Sequence, residues 1–464
     1  MSIASIFNIA KNAMFAHQAS IQVISNNIAN VNTPGYARQE AVLVEDSAAG
    51  TAHGLLGNGV KVESVLSYYD KYLESSMAKE NMSLEEQKTY AQYFGRVESI
   101  LDESNTKLTS NIVTFFNSWQ DLSTDPLSVT SRTNAAIAGV NLTNGVRSIY
   151  GELKDIQTEV DDIVYQKVSD INDILHSIAT LNGQIHLANA GGSENQAFIN
   201  QRSQLVNRLS GMIDVQYFTD KDNGLTVMTS GGKPLVDKGA VFELGAEKLL
   251  ADNMYRITWN GNSSNSVDIT DTIHSGSLKG LVDLRDNHIS GFISTINDLA
   301  QSIMTEVNKI HSTGYNANGT TNNFFKDVTR DFAGNFVISD EVKADPNNIA
   351  TTSSAANPSN NDIALAIANL GTASVKIKGR DTTYVDCGSS IASRIGSLSR
   401  NAKELSEYHQ DLMATMQKQR DSVSGVSIDE EMSNLIKFQY AYQAAARLFS
   451  TAESLFNSLL EIGR

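Results

Sequence analysis

The start of the chain carries an unbroken apolar repeat. Ile3, Phe7, Ala10, Met14, His17, Ile21, Ile24, Ile28 and Val31 alternate steps of four and three. That spacing predicts a helix offering one narrow heptad seam, with Ser, Asn, Gln and Lys leaving its other faces polar. A lone helix of this kind is marginal in water, and nothing nearby in sequence supplies a partner. The far end of the chain does. Ile428, Met432, Leu435, Phe438, Tyr442, Ala445, Phe449, Ala452, Phe456 and Leu459 repeat the pattern to the last turns. Ser427 reads as the N-cap of this second helix with Glu430 three residues on, and Asp429 to Glu431 set negative charge at its positive end. The simplest inference is that the first and last segments pack on each other. An ordinary two-helix core contact would account for that, yet terminal segments are usually frayed. Here they are the most regular stretches, which points to contacts between molecules as well.

The first helix stops in "SNNIANVNTPGYARQE". Asn tolerates left-handed backbone near a helix end, Pro34 forces Thr33 into an extended conformation, and Pro34-Gly35 suits the centre of a type II turn. A helix end followed by a turn explains the stretch. An interaction surface built from its Asn residues is the alternative reading.

Composition narrows the rest. A chain of 464 residues is too long for one simple core, and two to four domains are expected. Lys+Arg 36 against Asp+Glu 52 gives a net charge of −16, which disfavours nucleic acid and anionic membranes as partners. Cys387 is the one cysteine, so no intramolecular disulfide or cysteine-rich metal site can form. No apolar run reaches the roughly 18 residues that span a bilayer. The start of the chain lacks the marks of a secretory signal, so export would use another route.

Between the ends the organisation is nested, and the expected fold class is multidomain α+β. Terminal coiled-coil helices and a helical rod-like domain enclose an inserted small β domain. The expected divisions are an inner helix and turn over 1–40, the first part of a helical outer domain over 41–210, and the β domain over 211–275. The outer domain returns over 276–425 with an irregular segment at 312–390, and an inner helix closes the chain over 426–464. Residues 41–60 read as a connection with a short extended piece. From 66 to 122 the pattern is helical, broken near "NTKLTSN". Leu142, Val146, Ile149, Leu153, Ile156, Val160 and Ile163 hold a heptad that Val168, Ile171, Leu175 and Ile178 continue after a one-residue shift, a local defect rather than an end. "LTVMTSGGKPLVDKG" and "MYRITWNGNSSNSVDIT" then read as strands and turns. Helical spacing returns through Leu284, Ile289, Phe292, Ile296, Leu299, Ile303 and Ile310, and a shorter helix or two should span 390–424.

Two separated motifs in this order resemble the axial proteins of the bacterial flagellum. They are "SNNIANVNTPGYARQ" after a heptad helix and "IDEEMSNLIKFQYAYQAAARLFSTAESLFNSLL" at the far end. Within that family the resemblance is to the hook-associated members at the hook–filament junction, with "GNGVKVESV", "GGKPLV", "GSLKGLVDLRD" and "IHSTGYNANG" matching more loosely. It implies a structural subunit whose terminal helices form an inner tube with neighbouring copies, whose helical domain forms an outer layer, and whose β domain projects outward. The implied partners are copies of itself, the hook protein, the next hook-associated protein towards the filament, and an export chaperone at the C-terminal helix. The implied location is the extracellular flagellum, reached by type III export without a cleavable signal.

On this reading the assembly interface comprises Ile3, Phe7, Met14, Ile21, Ile24, Ile28, Val31, Ile428, Met432, Leu435, Phe438, Tyr442, Phe449, Phe456 and Leu459. Asn26, Asn27, Asn30, Asn32, Thr33, Pro34, Gly35 and Tyr36 shape the turn joining the inner helix to the outer domain. His17 reads as a core or lumen-facing polar residue. A hook or rod subunit, or a surface-exposed adhesive module using the β domain, are the alternatives.

Enzyme readings find little support. The chain has no His-Glu-x-x-His, no phosphate-binding Gly-x-x-x-x-Gly-Lys-Ser/Thr and no Gly-x-Ser-x-Gly. Ser76 lies three residues before Lys79, a spacing that arises often by chance. Cys387 reads as a buried small hydrophobe, and no cofactor is expected.

Overall fold

The computed structural model describes residues 3–33, 35–46, 49–51, 54–190, 196–221, 223–250, 253–260 and 265–462. The first helix, α1 (Ile3–Ala29), is followed by β1 (Gln39–Glu45), β2 (Ala49–Thr51), β3 (Gly54–Leu56) and β4 (Val60–Ser67). β1 pairs antiparallel with β4, with a register shift between Val42 and Leu43, and β2 with β3. This ribbon lies on α1. Asn12 donates to the Asn58 carbonyl and to Asp46, each at 3.2 Å. Gly59 has φ +97 and sits so close to the Ile9 backbone that a Cβ would lie 3.3 Å from its Cα. The first helix therefore has a partner nearby in sequence, contrary to expectation. The extended piece read in "GLLGNGVKVESV" is there as β3 and β4, but its docking on the first helix was not legible because the strand's stability comes from the helix beneath it.

The rod follows. Helix α2 (Lys71–Thr124) starts where the Asp70 carboxylate caps the Tyr72 and Leu73 amides. It runs unbroken through "NTKLTSN", where a break was expected. Leu108 and Ile112 in and after that stretch are fully buried, and packing overrides the weak helix formers around them. Helix α3 (Val129–Ala190) returns antiparallel, with Asn111 bonded to the Asn141 carbonyl and Arg96 paired with Glu159. Its buried stripe passes through Val160, Val164, Val168 and Ile171, so the heptad defect is absorbed as an added step of four without ending the helix.

After α4 (Gln196–Met212) comes the β domain, with β5 (Val215–Thr219), β6 (Leu225–Thr229), β7 (Pro234–Asp237), β8 (Ala240–Val241), β9 (Leu244–Lys248), β10 (Tyr255–Trp259) and β11 (Val267–Asp268). They form a four-stranded meander β5-β6-β7-β8 and a three-stranded sheet β11-β10-β9, antiparallel throughout. Asn260 has φ +57 as a turn requires; Gly261 lies outside the described residues.

The chain returns through α5 (Ser277–Asp283), a π turn over Leu284–Ile289, and α6 (Ser290–His311). The segment after it is neither loose nor only irregular. It contains α7 (Asp340–Ala344), α8 (Asp362–Leu370) and the hairpin β12 (Val375–Ile377) and β13 (Arg380–Thr382). Phe324 and Phe325 are fully buried against Phe115, Phe324 also against Trp119, and the buried Phe336 packs on Phe325. His311 fixes its path: one ring nitrogen meets the Asn322 carbonyl at 2.7 Å and the other accepts the Ala350 amide at 2.9 Å. The expected short helices of 390–424 are one long helix, α9 (Tyr384–Ser424), capped by Thr383 and antiparallel to α2, with Glu80 against His409 and Glu74 against Arg420. Helix α10 (Ile428–Ile462) completes the chain.

Candidate assembly interface

Helices α1 and α10 pair antiparallel. The Phe7 ring meets Phe449 edge-on at 4.9 Å, His17 lies 5.8 Å from Phe438, and Asn27 reaches Glu431. The inward face of α10 is Glu431, Leu435, Phe438, Tyr442, Ala445, Phe449 and Ala452, all at least half-buried. Ile428 and Met432, expected on that seam, are 50% and 43% exposed. Glu431 takes their place because a buried polar contact sets the register there. On α1, Phe7, Met14, His17, Ile21, Ile28 and Val31 are half-buried, and Ala10 and Ile24 are buried. Val31 lies just beyond the end of the helix. The Ile3 side chain and Pro34 lie outside the described residues. Burial lowers the His17 pKa, and its Nδ1 is buried with no hydrogen-bond partner among the described residues.

The Asn-rich turn ties the two helices to the rod. Asn27 is fully buried and uses its whole hydrogen-bonding capacity. Its Oδ1 accepts the Gln39 amide at 3.0 Å and the Tyr36 hydroxyl at 2.9 Å. Its Nδ2 donates to the Gln39 carbonyl at 2.8 Å and to Glu431 Oε2 at 3.0 Å. The other Glu431 oxygen takes Arg38 Nε at 2.7 Å, and Glu431 is 1% exposed. Arg38 donates its amide to the Ser424 carbonyl, and Arg420 of α9 donates to the Tyr36 carbonyl while pairing with Glu74 of α2. Burial, then the Glu431 charge, pushes the Tyr36 hydroxyl up to about 12. Gly35 has φ +80 and the Tyr36 amide donates to the Thr33 carbonyl at 3.1 Å, the dihedral and bond that a type II turn requires.

Of the remaining described turn residues, Asn26, Asn32 and Thr33 are exposed and Asn30 is half-buried. Asn30 bonds back to Asn26, Thr33 bonds to Asn30, and Asn32 and Thr33 are exposed beside a polar cleft shared with Gln417, Asp421 and Glu430. Glu431, Arg38 and Arg420 were not singled out from sequence as partners of the turn. The Arg in "GYARQ" and the acidic run in "SIDEEM" were the available signals.

Past Ala452, α10 has no described partner. Leu455, Phe456, Leu459 and Leu460 are 49%, 47%, 56% and 56% exposed. The register of the pairs above sets these last turns beyond the described start of α1. Elsewhere, little suggests chemistry. The Ser76 hydroxyl donates to the Tyr72 carbonyl within its own helix, Lys79 is exposed, and burial pushes the Cys387 thiol up. Among the described residues no group of three or more His, Cys, Asp or Glu could hold a metal ion, and no helix is long and apolar enough to cross a membrane.

A long helical rod with a small β domain at its side, and end helices that leave apolar turns uncovered, defines a subunit built for assembly. Comparison with known proteins agrees. Residues 94–325 match the family model described as the flagellar hook-associated protein FlgK helical domain. Residues 7–36 match that of the flagella basal body rod protein, and 417–462 that of the flagellar basal body rod FlgEFG protein C-terminal. Flagellar hook-associated protein 1 of Bacillus subtilis is 27% identical, over 97% of this chain and 96% of its own. The protein of the same name from Salmonella typhimurium is 24% identical, over 99% and 100%. The solved flagellar hook junction protein FlgK of Burkholderia pseudomallei shares the fold, with a TM-score of 0.69 at 13% identity over 75% of this chain and 100% of that one. The chain belongs to the flagellar hook-associated protein FlgK family.

Proposed function

We propose that this chain is the structural subunit of the junction layer between flagellar hook and filament, and that its paired end helices are the assembly interface. The observation that carries this reading is the uncovered end of α10, where Leu455, Phe456, Leu459 and Leu460 remain about half exposed although Phe456 and Leu459 continue the face that α1 covers as far as Ala452. Apolar side chains of that size, grouped on the last turns, are stabilised by a further surface, and neighbouring copies in the layer supply it. The domain division that follows has α1, its ribbon and α10 inside, the rod of α2 to α4 and α5 to α9 around them, and the β domain outermost. Contacts between subunits are heterologous, the kind that build an open helical layer rather than a closed dimer.

Specific partners follow from the same reading. They are the hook protein below, the next hook-associated protein above, and a chaperone that covers the α10 end before export. Export proceeds by the flagellum's own apparatus, and the role is mechanical rather than catalytic. Electron microscopy of cells lacking the gene, with the medium assayed for unpolymerised flagellin, tests the assignment. Bare hooks with flagellin lost to the medium are expected. Missing hooks would move the protein down to rod or hook, and intact filaments would overturn the reading.

A further inference from the structure

One polar device recurs where helices of this protein meet extended segments. In the β domain, Asn172, Asn182 and Asp161 on α3, the last together with Arg285, take both backbone groups of one residue each, and that residue is the first of its strand. Asn172 accepts the Leu244 amide at 2.9 Å and donates to the Leu244 carbonyl at 2.8 Å. Asn182 accepts the Leu225 amide at 3.2 Å and donates to its carbonyl at 2.9 Å, with a further bond to the Lys238 carbonyl at 2.7 Å. Asp161 accepts the Tyr255 amide at 2.9 Å, while Arg285, paired to Asp161 at 2.5 Å, donates to the Tyr255 carbonyl at 2.8 Å. The primary amide of Asn offers one donor and one acceptor side by side, as a neighbouring strand would. Asn27 on Gln39 and Asn308 on Phe325 repeat the arrangement outside the β domain.

The three anchors lie about three helical turns apart along α3. They hold β6, β9 and β10, strands drawn from both sheets. Ile174, Leu175 and Ile178 of α3 share one apolar core with Val227, Leu235 and Ile257 of the β domain. The two chain crossings into the domain also touch: a Cβ on Gly276 would lie 2.8 Å from the Met212 and Ile213 backbones.

We propose that Asp161 with Arg285, Asn172 and Asn182 weld the β domain to α3 in one orientation, so that it is a rigid fin of the rod and not a tethered module. The weld is a property of the free chain and stands whichever flagellar component the fin meets. The π turn is part of it, since Arg285 lies in that turn and is fully buried.

Spin labels at Asp155→Cys on α3 and Gln216→Cys on β5, in the full chain carrying Cys387→Ala, report the distance between rod and fin by pulsed dipolar spectroscopy. A single narrow distance is expected, lost to a broad distribution in N172A/N182A while the far-ultraviolet circular dichroism is unchanged. Should the double variant not fold, Asn172→Asp keeps the acceptor, loses the donor and is expected to broaden the distribution partly. A broad distribution in the labelled chain without the clamp substitutions, or a narrow one in the clamp variants, would overturn the proposal.

Discussion

Asn27 shows how one side chain can fix the relation of segments far apart in sequence. It bonds β1, the turn and α10 at once, and its neighbour Glu431 is a buried carboxylate held by Arg38. Asn27→Asp would set a second carboxylate about 3 Å from Glu431, where two charges cannot both persist cheaply. Asn27→Asp should therefore loosen the α1 to α10 junction more than Asn27→Ala, read as faster amide hydrogen exchange of Gln39 and of the first turns of α10. Glu431→Ala leaves Arg38 without its counter-charge and should cost about 3 to 5 kcal/mol in that region, measured by denaturant titration.

His311 makes a pH prediction. Burial lowers its pKa to about 4, below the unfolded value of 6.5. Between those values the unfolded chain binds more protons, so stability rises with pH there and is lost as pH falls through the window. The loss amounts to about 3 kcal/mol. Urea midpoints from pH 7 to 5 should fall for the native chain and fall less for His311→Gln. Tyr36 works at the other end, since a folded pKa of about 12 against 10 means stability lost as pH rises between them.

At the scale of elements, the rod and the end helices should respond differently to truncation of a side chain. Leu153 is fully buried in α3, and Leu153→Ala should cost about 2 to 5 kcal/mol of rod stability. Phe449 is half-buried against Phe7 only on one side, so Phe449→Ala should release α1 from α10 while leaving the rod's unfolding midpoint in place. Hydrogen exchange resolved by element separates the two outcomes; a lowered rod midpoint would mean that the end helices and the rod unfold together. The α3 stripe and the α6 pattern were legible because long helices bury a periodic face. Even the step of five from Leu284 to Ile289, out of phase for an α-helix, coincides with the π turn. The continuous α2 was not legible, because nothing local compensates for the Asn, Thr and Ser of its middle.

For the whole molecule, the prediction concerns the uncovered end of α10. Removing residues from Leu455 onward should abolish incorporation into the flagellum while the β domain and rod keep their circular dichroism and unfolding midpoint. A truncated subunit incorporated at normal stoichiometry would mean that these turns are not an assembly contact. The fin and the rod should respond as one body in such experiments, since a single core joins them.

The sequence by itself determined the helical ends, the long helix of the rod and the inserted β segment, because each rests on a periodicity that a short window contains. It also carried the family resemblance, through motifs at both ends that match as continuous strings. Tertiary structure alone decided that Glu431 replaces Ile428 and Met432 at the start of the seam, that a ribbon covers α1, and that helical Asn residues grip the first residues of strands. Those choices pair groups separated by tens to hundreds of residues. A lone Asn or Glu in a sequence gives no sign of which distant amide, carbonyl or guanidinium will satisfy it.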